Sequence, residues 1–167
     1  MPKIIENLQS NLILEAGKQI REAGYGALTI RSVAKACGVG VGTVYNYFHS
    51  KDALVAAFML EEWNSCMEAI RETSLSSDSP EPLVRCIYDQ LLEYARRQQG
   101  VIQDEAAASS FGGSFRQYHS LLRTQLAQPL HKFCDAFTAE FIAEALLTWT
   151  MAGKDYQEIF CIVSKLF

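Results

Sequence analysis

Three observations predict an all-α fold for this chain. Apolar residues return at intervals of three and four, from Leu8, Leu12 and Ala16 near one end to Ile159, Ile162 and Val163 near the other. The two-residue alternation of a half-buried strand is almost absent. Glycine and proline gather at a few points, among them Gly38 to Gly42, Pro80 to Pro82, Gly112 with Gly113, and Gly153, and these cut the helical pattern into discrete lengths.

The first element carries Ile5, Leu8, Leu12, Ala16 and Ile20 on one stripe and ends at Gly24, a brace behind the next two helices. Thr29 then stands as an N-cap before Ile30. A short helix from there places Ala34 where two crossed helices touch, because only a small side chain lets them approach. Gly38 comes next, at a turn that needs positive φ, which glycine adopts without a Cβ clash. Val33, Cys37, Val39 and Val44 supply the apolar contacts between this helix and a second one starting near Val41.

Ser50 caps a long helix from Lys51 that carries Leu54, Phe58, Met59, Trp63, Cys66, Met67 and Ile70. The polar stretch SLSSDSPEP ends it as a linker, and Ser79 with Pro80 opens the next helix, through Val84, Ile87, Tyr88, Leu91 and Ala95 to Gly100. A short alanine-rich helix precedes the Phe111-Gly112-Gly113 break. Phe115, Tyr118, Leu122 and Leu126 then lead to Pro129, FTAEFIAEALLTWTMAG runs from Phe137 to Gly153, and DYQEIFCIVSKLF is the last helical stretch. The expected division is a three-helix head, 1–50, and a helical body, 51–167.

Two short helices crossing at Ala34 and Gly38 form a helix-turn-helix, and its second helix shows Gly42, Thr43, Tyr45, Asn46 and Tyr47 on the open side. Small, hydroxyl and amide groups without a carboxylate suit a groove floor and phosphates. A plain helical hairpin explains neither the two open tyrosines nor the flanking hydroxyls. The net charge of −4 is unevenly spread: residues 1–51 hold six cations against three glutamates, net +3, which leaves −7 for the remainder. The positive field lies where the motif lies.

The run CGVGVGTVYNYFHSKDAL, from Cys37 to Leu54, resembles the DNA-binding domain of the TetR family of bacterial transcriptional regulators. The matching residues are Gly38, Val39, Gly42, Thr43, Tyr45, Tyr47, Phe48, Ser50, Lys51 and Leu54; upstream, Ala23, Gly24, Tyr25, Thr29, Ile30, Val33 and Ala34 agree. Gly40 and Val41 depart from the family's serine and polar residue, so an apolar contact of Val41 with a thymine methyl is expected there. The resemblance implies that Thr29 belongs to the contact region, and that Arg31 and Thr43 reach bases or nearby phosphates. It also implies that Tyr45, Asn46 and Tyr47 line the contact surface and that Lys51 holds a phosphate.

The last two helices are too apolar for a monomer surface, and Phe137, Phe141, Leu146, Trp149, Ile159, Phe160, Val163 and Leu166 are the expected subunit interface. The family resemblance implies that these helices pair with their copies in a four-helix bundle. Family members also commonly bind a small molecule and release DNA; Trp63, Tyr88, Phe115, Tyr118, His119 and Phe141 are the candidate lining.

No nucleophile elbow, phosphate loop, dinucleotide fingerprint or paired-histidine motif occurs, so no enzymatic activity and no cofactor are expected. The five cysteines show no metal spacing and read as reduced thiols. Without a secretion signal or an 18-residue apolar run, the chain is expected in the cytoplasm and away from membranes. The expected function is a homodimeric repressor on a pseudo-palindromic operator, released by a small-molecule effector. The alternative is a DNA-binding architectural or cell-division protein whose acidic body engages a protein partner.

Overall fold

The computed structural model describes residues 7–111 and 115–167. Among them are ten α-helices: α1 Leu8–Ala27, α2 Ile30–Ala36, α3 Val41–Tyr45, α4 Lys51–Ser76, α5 Pro80–Arg97, α6 Gln99–Ile102, α7 Glu105–Phe111, α8 Phe115–Leu130, α9 Ala136–Met151 and α10 Tyr156–Val163, the last followed by a 3₁₀ turn, Ser164–Leu166. No strand occurs among the described residues.

Local chemistry accounts for the starts of these helices. Thr29 and Ser32 form a reciprocal capping box at α2, each side chain accepting the other's backbone N–H at 3.0 and 3.2 Å. Ser50 accepts the Ala53 N–H at the head of α4. Asp135 accepts from Phe137 and Thr138 at α9, and Asp155 with Glu158 closes a capping box at α10. The expected stop of α1 at Gly24 is a break inside the element: Gly24 has φ +80°, and the turn resumes through Tyr25 to Ala27. The long polar linker shrinks to residues 77–79, because α4 runs on to Ser76.

The chain divides into two compact units, Met1–Glu62 with Arg97–Gly112, and Trp63–Arg96 with Gly113–Phe167. This differs from a division at residue 50 for two physical reasons. First, α4 is one continuous helix that supplies side chains to both cores, so the border falls inside it. Second, α6 and α7 fold back against α1, with Val101 and Ala107 entering the core made by Leu12, Ala16, Ile20, Val33, Val44, Leu54 and Phe58.

In that first unit α1 approaches its neighbours closely. A Cβ at Gly17 would overlap the Phe58 ring, and one at Gly100 would stand 2.7 Å from the Ile20 carbonyl oxygen. The core of the second unit is built from Trp63, Met67, Ile70, Val84, Ile87, Leu91, Leu126, Leu130, Ile142, Leu146, Ile159 and Val163. Among the described residues no helix is long and apolar enough to cross a membrane.

Candidate nucleic-acid interface

The helix-turn-helix forms as the small-residue argument requires. Ala34 is buried at the crossing, the Val39 N–H donates to the Ala34 carbonyl at 2.9 Å, and Gly38 sits at φ +67°. Val33, Val44 and Phe48 are buried, with Cys37 and Val39 packed against them, and this apolar seam fixes how α3 is presented.

What α3 turns outward is the expected set. Tyr45 is 52% exposed, Tyr47 46% and Val41 37%, with Gly42 and Asn46 also exposed and Thr43 half-buried. Arg31 is exposed on α2. Tyr47 lies past the end of α3, whose C-cap is Asn46, so its ring leaves the helix at the turn. Thr29 is exposed, and its hydroxyl oxygen accepts the Ser32 N–H, which leaves its hydrogen and one lone pair to offer.

Lys51 is placed otherwise. Its ammonium lies 3.8 Å from the centroid of the buried Tyr25 ring, inside the same unit. Partial burial lowers its pKa, against the pull of the Asp104 and Asp52 carboxylates. The Tyr25 hydroxyl donates to Asp52, and together with burial this carboxylate raises the phenol's pKa. Asp104 accepts the N–H groups of Gly26, Ala106 and Ala107, of which the Ala107 bond does most to hold its carboxyl below the ordinary range. Tyr25 and Asp52 stand 27 residues apart in the chain, and Gly26 and Asp104 stand 78 apart, separations that no local pattern can announce. The only signal was the family match at Tyr25 and Lys51, and it carries no pairing.

Several of the candidate small-molecule lining residues have partners of their own within the second unit. Trp63 is core, donating through Nε1 to Gln125 and meeting the Tyr94 ring edge-on. Tyr88 is buried against Tyr156 and donates to the Lys154 carbonyl. Tyr118 shares a 2.7 Å hydrogen bond with Tyr94, and His119 lies 3.7 Å from Glu144. Phe141 is 53% exposed. The side chain of Phe115 lies outside the described residues. Trp63 and Tyr88 are therefore packing residues, because an aromatic at helical spacing fills a core before it lines a void.

The expected subunit face also divides. Leu146, Ile159 and Val163 are buried in the core of their own unit and cannot meet a partner, and Phe160 is half-buried, stacked on Tyr156. Phe137, Phe141, Trp149 and Leu166 do face outward, joined by Ile162 at 64% exposure and by Phe167. The sequence pattern marks both faces of these helices as apolar and cannot say which one is inside.

Among the described residues no group of three His, Cys, Asp or Glu side chains could hold a metal ion. The five cysteines are free thiols, and burial, with Glu15 as the lesser cause, raises the pKa of Cys37.

Residues 12–58 match the sequence signature of the tetR family of bacterial regulatory proteins. The HTH-type transcriptional regulator UidR of Escherichia coli (strain K12) is 33% identical over 61 residues; the chain thus covers only 31% of that relative, and 36% of the chain is matched. Nucleoid occlusion factor SlmA of Haemophilus ducreyi is 26% identical over 160 residues, covering 95% of this chain and 75% of that protein. Among solved structures, the transcriptional regulator SCO7518 of Streptomyces coelicolor A3(2) has the same fold, with TM-score 0.74, 14% identity and coverage of 95% and 96% of the two chains.

Proposed function

From the tetR-family signature over residues 12–58 we propose that this chain is a DNA-binding transcriptional regulator of that family: a homodimeric repressor occupying a pseudo-palindromic operator. The observation that carries this reading is the outward face of α3 and its flanks. Val41, Gly42, Tyr45, Asn46 and Tyr47 are exposed without a carboxylate among them, while Val44 and Phe48 anchor the helix from behind. On this reading Arg31 and Asn46 read base edges, Val41 meets a thymine methyl, and Thr29, Thr43 and the two tyrosines hold backbone and groove edge.

Two copies are needed because one five-residue recognition helix spans a single half-site, and successive major-groove faces lie about 34–36 Å apart. The exposed apolar side chains of α9 and α10 supply the pairing surface. A small-molecule effector that prefers a conformer with wrongly spaced recognition helices would release the DNA; a coupling of about 1–3 kcal/mol changes affinity roughly 5- to 150-fold. The protein acts in the cytoplasm, where the DNA is.

The test is an electrophoretic shift with the DNA upstream of the protein's own gene, with and without candidate metabolites. A retarded band that alanine at Tyr45 and Asn46 removes supports the reading. No retardation at low salt on any duplex overturns it.

A second reading is supported by the SlmA alignment, which runs over most of this chain where the UidR match is confined to about a third of it. A nucleoid occlusion role would use the same DNA-binding face and let the acidic remainder engage a protein. Genome-wide binding separates the two: a few promoter sites favour the repressor, sites dispersed along the chromosome favour the alternative.

A further inference from the structure

We propose that Gln19 of α1, held by Glu15, is a positioning residue for the Thr29 hydroxyl: through Ser32 it fixes the head of α2 so that this hydroxyl offers its hydrogen to a DNA phosphate. The inference rests on the DNA-binding reading above and deepens it.

Four residues of the first unit form one hydrogen-bonded chain. Gln19 Nε2 donates to Glu15 Oε1 at 2.9 Å, the Ser32 hydroxyl donates to Gln19 Oε1 at 2.6 Å, and the Thr29 N–H donates to Ser32 Oγ at 3.2 Å. The Ser32 N–H returns to Thr29 Oγ1 at 3.0 Å. Glu15, Gln19 and Ser32 are half-buried, and Thr29 is exposed at the far end.

Acceptor-only chemistry at one end gives this chain its direction. A carboxylate has no hydrogen to give, so Gln19 must turn its NH₂ toward Glu15 and its carbonyl oxygen toward Ser32. That oxygen can only accept, which assigns it the Ser32 hydroxyl hydrogen. The competing acceptor, the Thr29 carbonyl oxygen at 2.8 Å, already takes the Val33 N–H. With its hydrogen committed to α1, Ser32 presents a lone pair to the Thr29 N–H, and both halves of the capping box are locked.

The chain ends in the Thr29 hydroxyl. Its oxygen is held by the Ser32 N–H, so its hydrogen must point away from that donor, and a hydroxyl aimed outward suits a phosphate oxygen. Without the Gln19 oxygen, Ser32 is free to turn to the Thr29 carbonyl or to water, and the hydroxyl it steers loses its fixed place. A neutral hydroxyl releases no counterion, so losing its contact lowers affinity equally at every salt concentration.

The experiment measures affinity for a short mixed-sequence duplex by fluorescence anisotropy over a range of KCl concentrations, because phosphate contacts need no operator. Gln19→Met keeps the net charge and the helix propensity but removes the acceptor. It is expected to weaken binding about tenfold, the cost of a misplaced hydrogen bond to a charged group, with an unchanged slope of log affinity against log salt. Exchanging the two groups, Glu15→Gln together with Gln19→Glu, also keeps the net charge. The amide now at position 15 donates to the carboxylate now at position 19, which accepts Ser32, so the direction of the chain is kept and wild-type affinity is expected. In a Thr29→Gly background, where glycine still caps α2, Gln19→Met should cost nothing further.

Wild-type affinity in Gln19→Met overturns the proposal, and so does an exchanged pair that binds as weakly as Gln19→Met. An equal loss with and without the Thr29 hydroxyl overturns it too, since Gln19 would then act only through the stability of the unit. A slope shallower by about 0.9 would mean that a cation such as Arg31 has left its phosphate, and the hydroxyl would not be what Gln19 positions. Wild-type protein with no duplex affinity at low salt overturns the DNA-binding reading and this proposal with it, whereas a binding wild type and an indifferent Gln19→Met overturn the proposal alone.

Discussion

Gly38 is held at φ +67° with no heavy atom within 4 Å of where a Cβ would stand. Space is therefore not what selects glycine there; the left-handed backbone is. Alanine in that conformation costs about 1–2 kcal/mol, and Gly38→Ala should lower unfolding stability by that amount in urea titrations. Gly42, four residues on, differs in the one respect that matters. It also has open space around it, yet it lies inside α3 with ordinary backbone angles. Gly42→Ala should stabilise the unit by about 0.5–1 kcal/mol while placing a methyl on the face offered to the groove. Stability and duplex affinity should then move in opposite directions, and the same titration paired with an anisotropy measurement reads both. If Gly42→Ala left DNA affinity unchanged, α3 would not be the inserted helix.

At the scale of an element, α9 shows how a cap can be read from pH. Asp135 accepts hydrogen bonds from the Thr138 hydroxyl and from the N–H groups of Thr138 and Phe137, and the Thr138 hydroxyl does most to hold its carboxyl below the ordinary aspartate range. A folded value below the unfolded one means that the stability from this carboxylate is present above the unfolded value, about 3.9, and is lost as pH falls through the folded value. Asp135→Asn keeps an accepting oxygen but does not titrate, so its melting temperature should fall less steeply than the wild type's below about pH 4. Parallel acid limbs for the two proteins would mean that the cap contributes nothing through its charge.

Such caps were partly legible. Thr29 and Ser50 announce their helices because a hydroxyl just before an apolar period has one common use, and Gly38 announces its turn because few residues tolerate it. The close approaches of α1 were not legible. Gly17 looks like any helical glycine until Phe58 is seen against it, and Gly100 reads as a stop signal, whereas it lets α6 lie on the Ile20 carbonyl. The same limit applies to Tyr25, Asp52 and Asp104, whose pairing exists only after the chain has folded back through α6 and α7. For α9 and α10, an apolar pattern on more than one face leaves open which face is covered by the chain itself.

For the whole molecule that last ambiguity decides which substitutions separate assembly from folding. Val163 and Leu146 are core residues, so a charge at either should unfold the chain and say nothing about pairing. Phe141 at 53% and Ile162 at 64% exposure can carry a charge with little cost to the protomer. If the outward apolar side chains of α9 and α10 are covered by a second copy, Phe141→Glu and Ile162→Asp should sediment as folded monomers with wild-type helicity. In the wild type the melting temperature should rise with protein concentration, as it must when association and folding are linked; in the two variants it should not.

The DNA consequence is geometric. A dimer engages two half-sites about one helical turn apart, and the second contact forms at the high effective concentration set by the first. The variants should therefore bind a full pseudo-palindrome no more tightly than a half-site, while the wild type distinguishes the two by about 10²-fold or more. Monomers that still separate full site from half-site would place cooperativity in the DNA-bound units themselves, and dimers of undiminished strength in both variants would remove α9 and α10 from the interface.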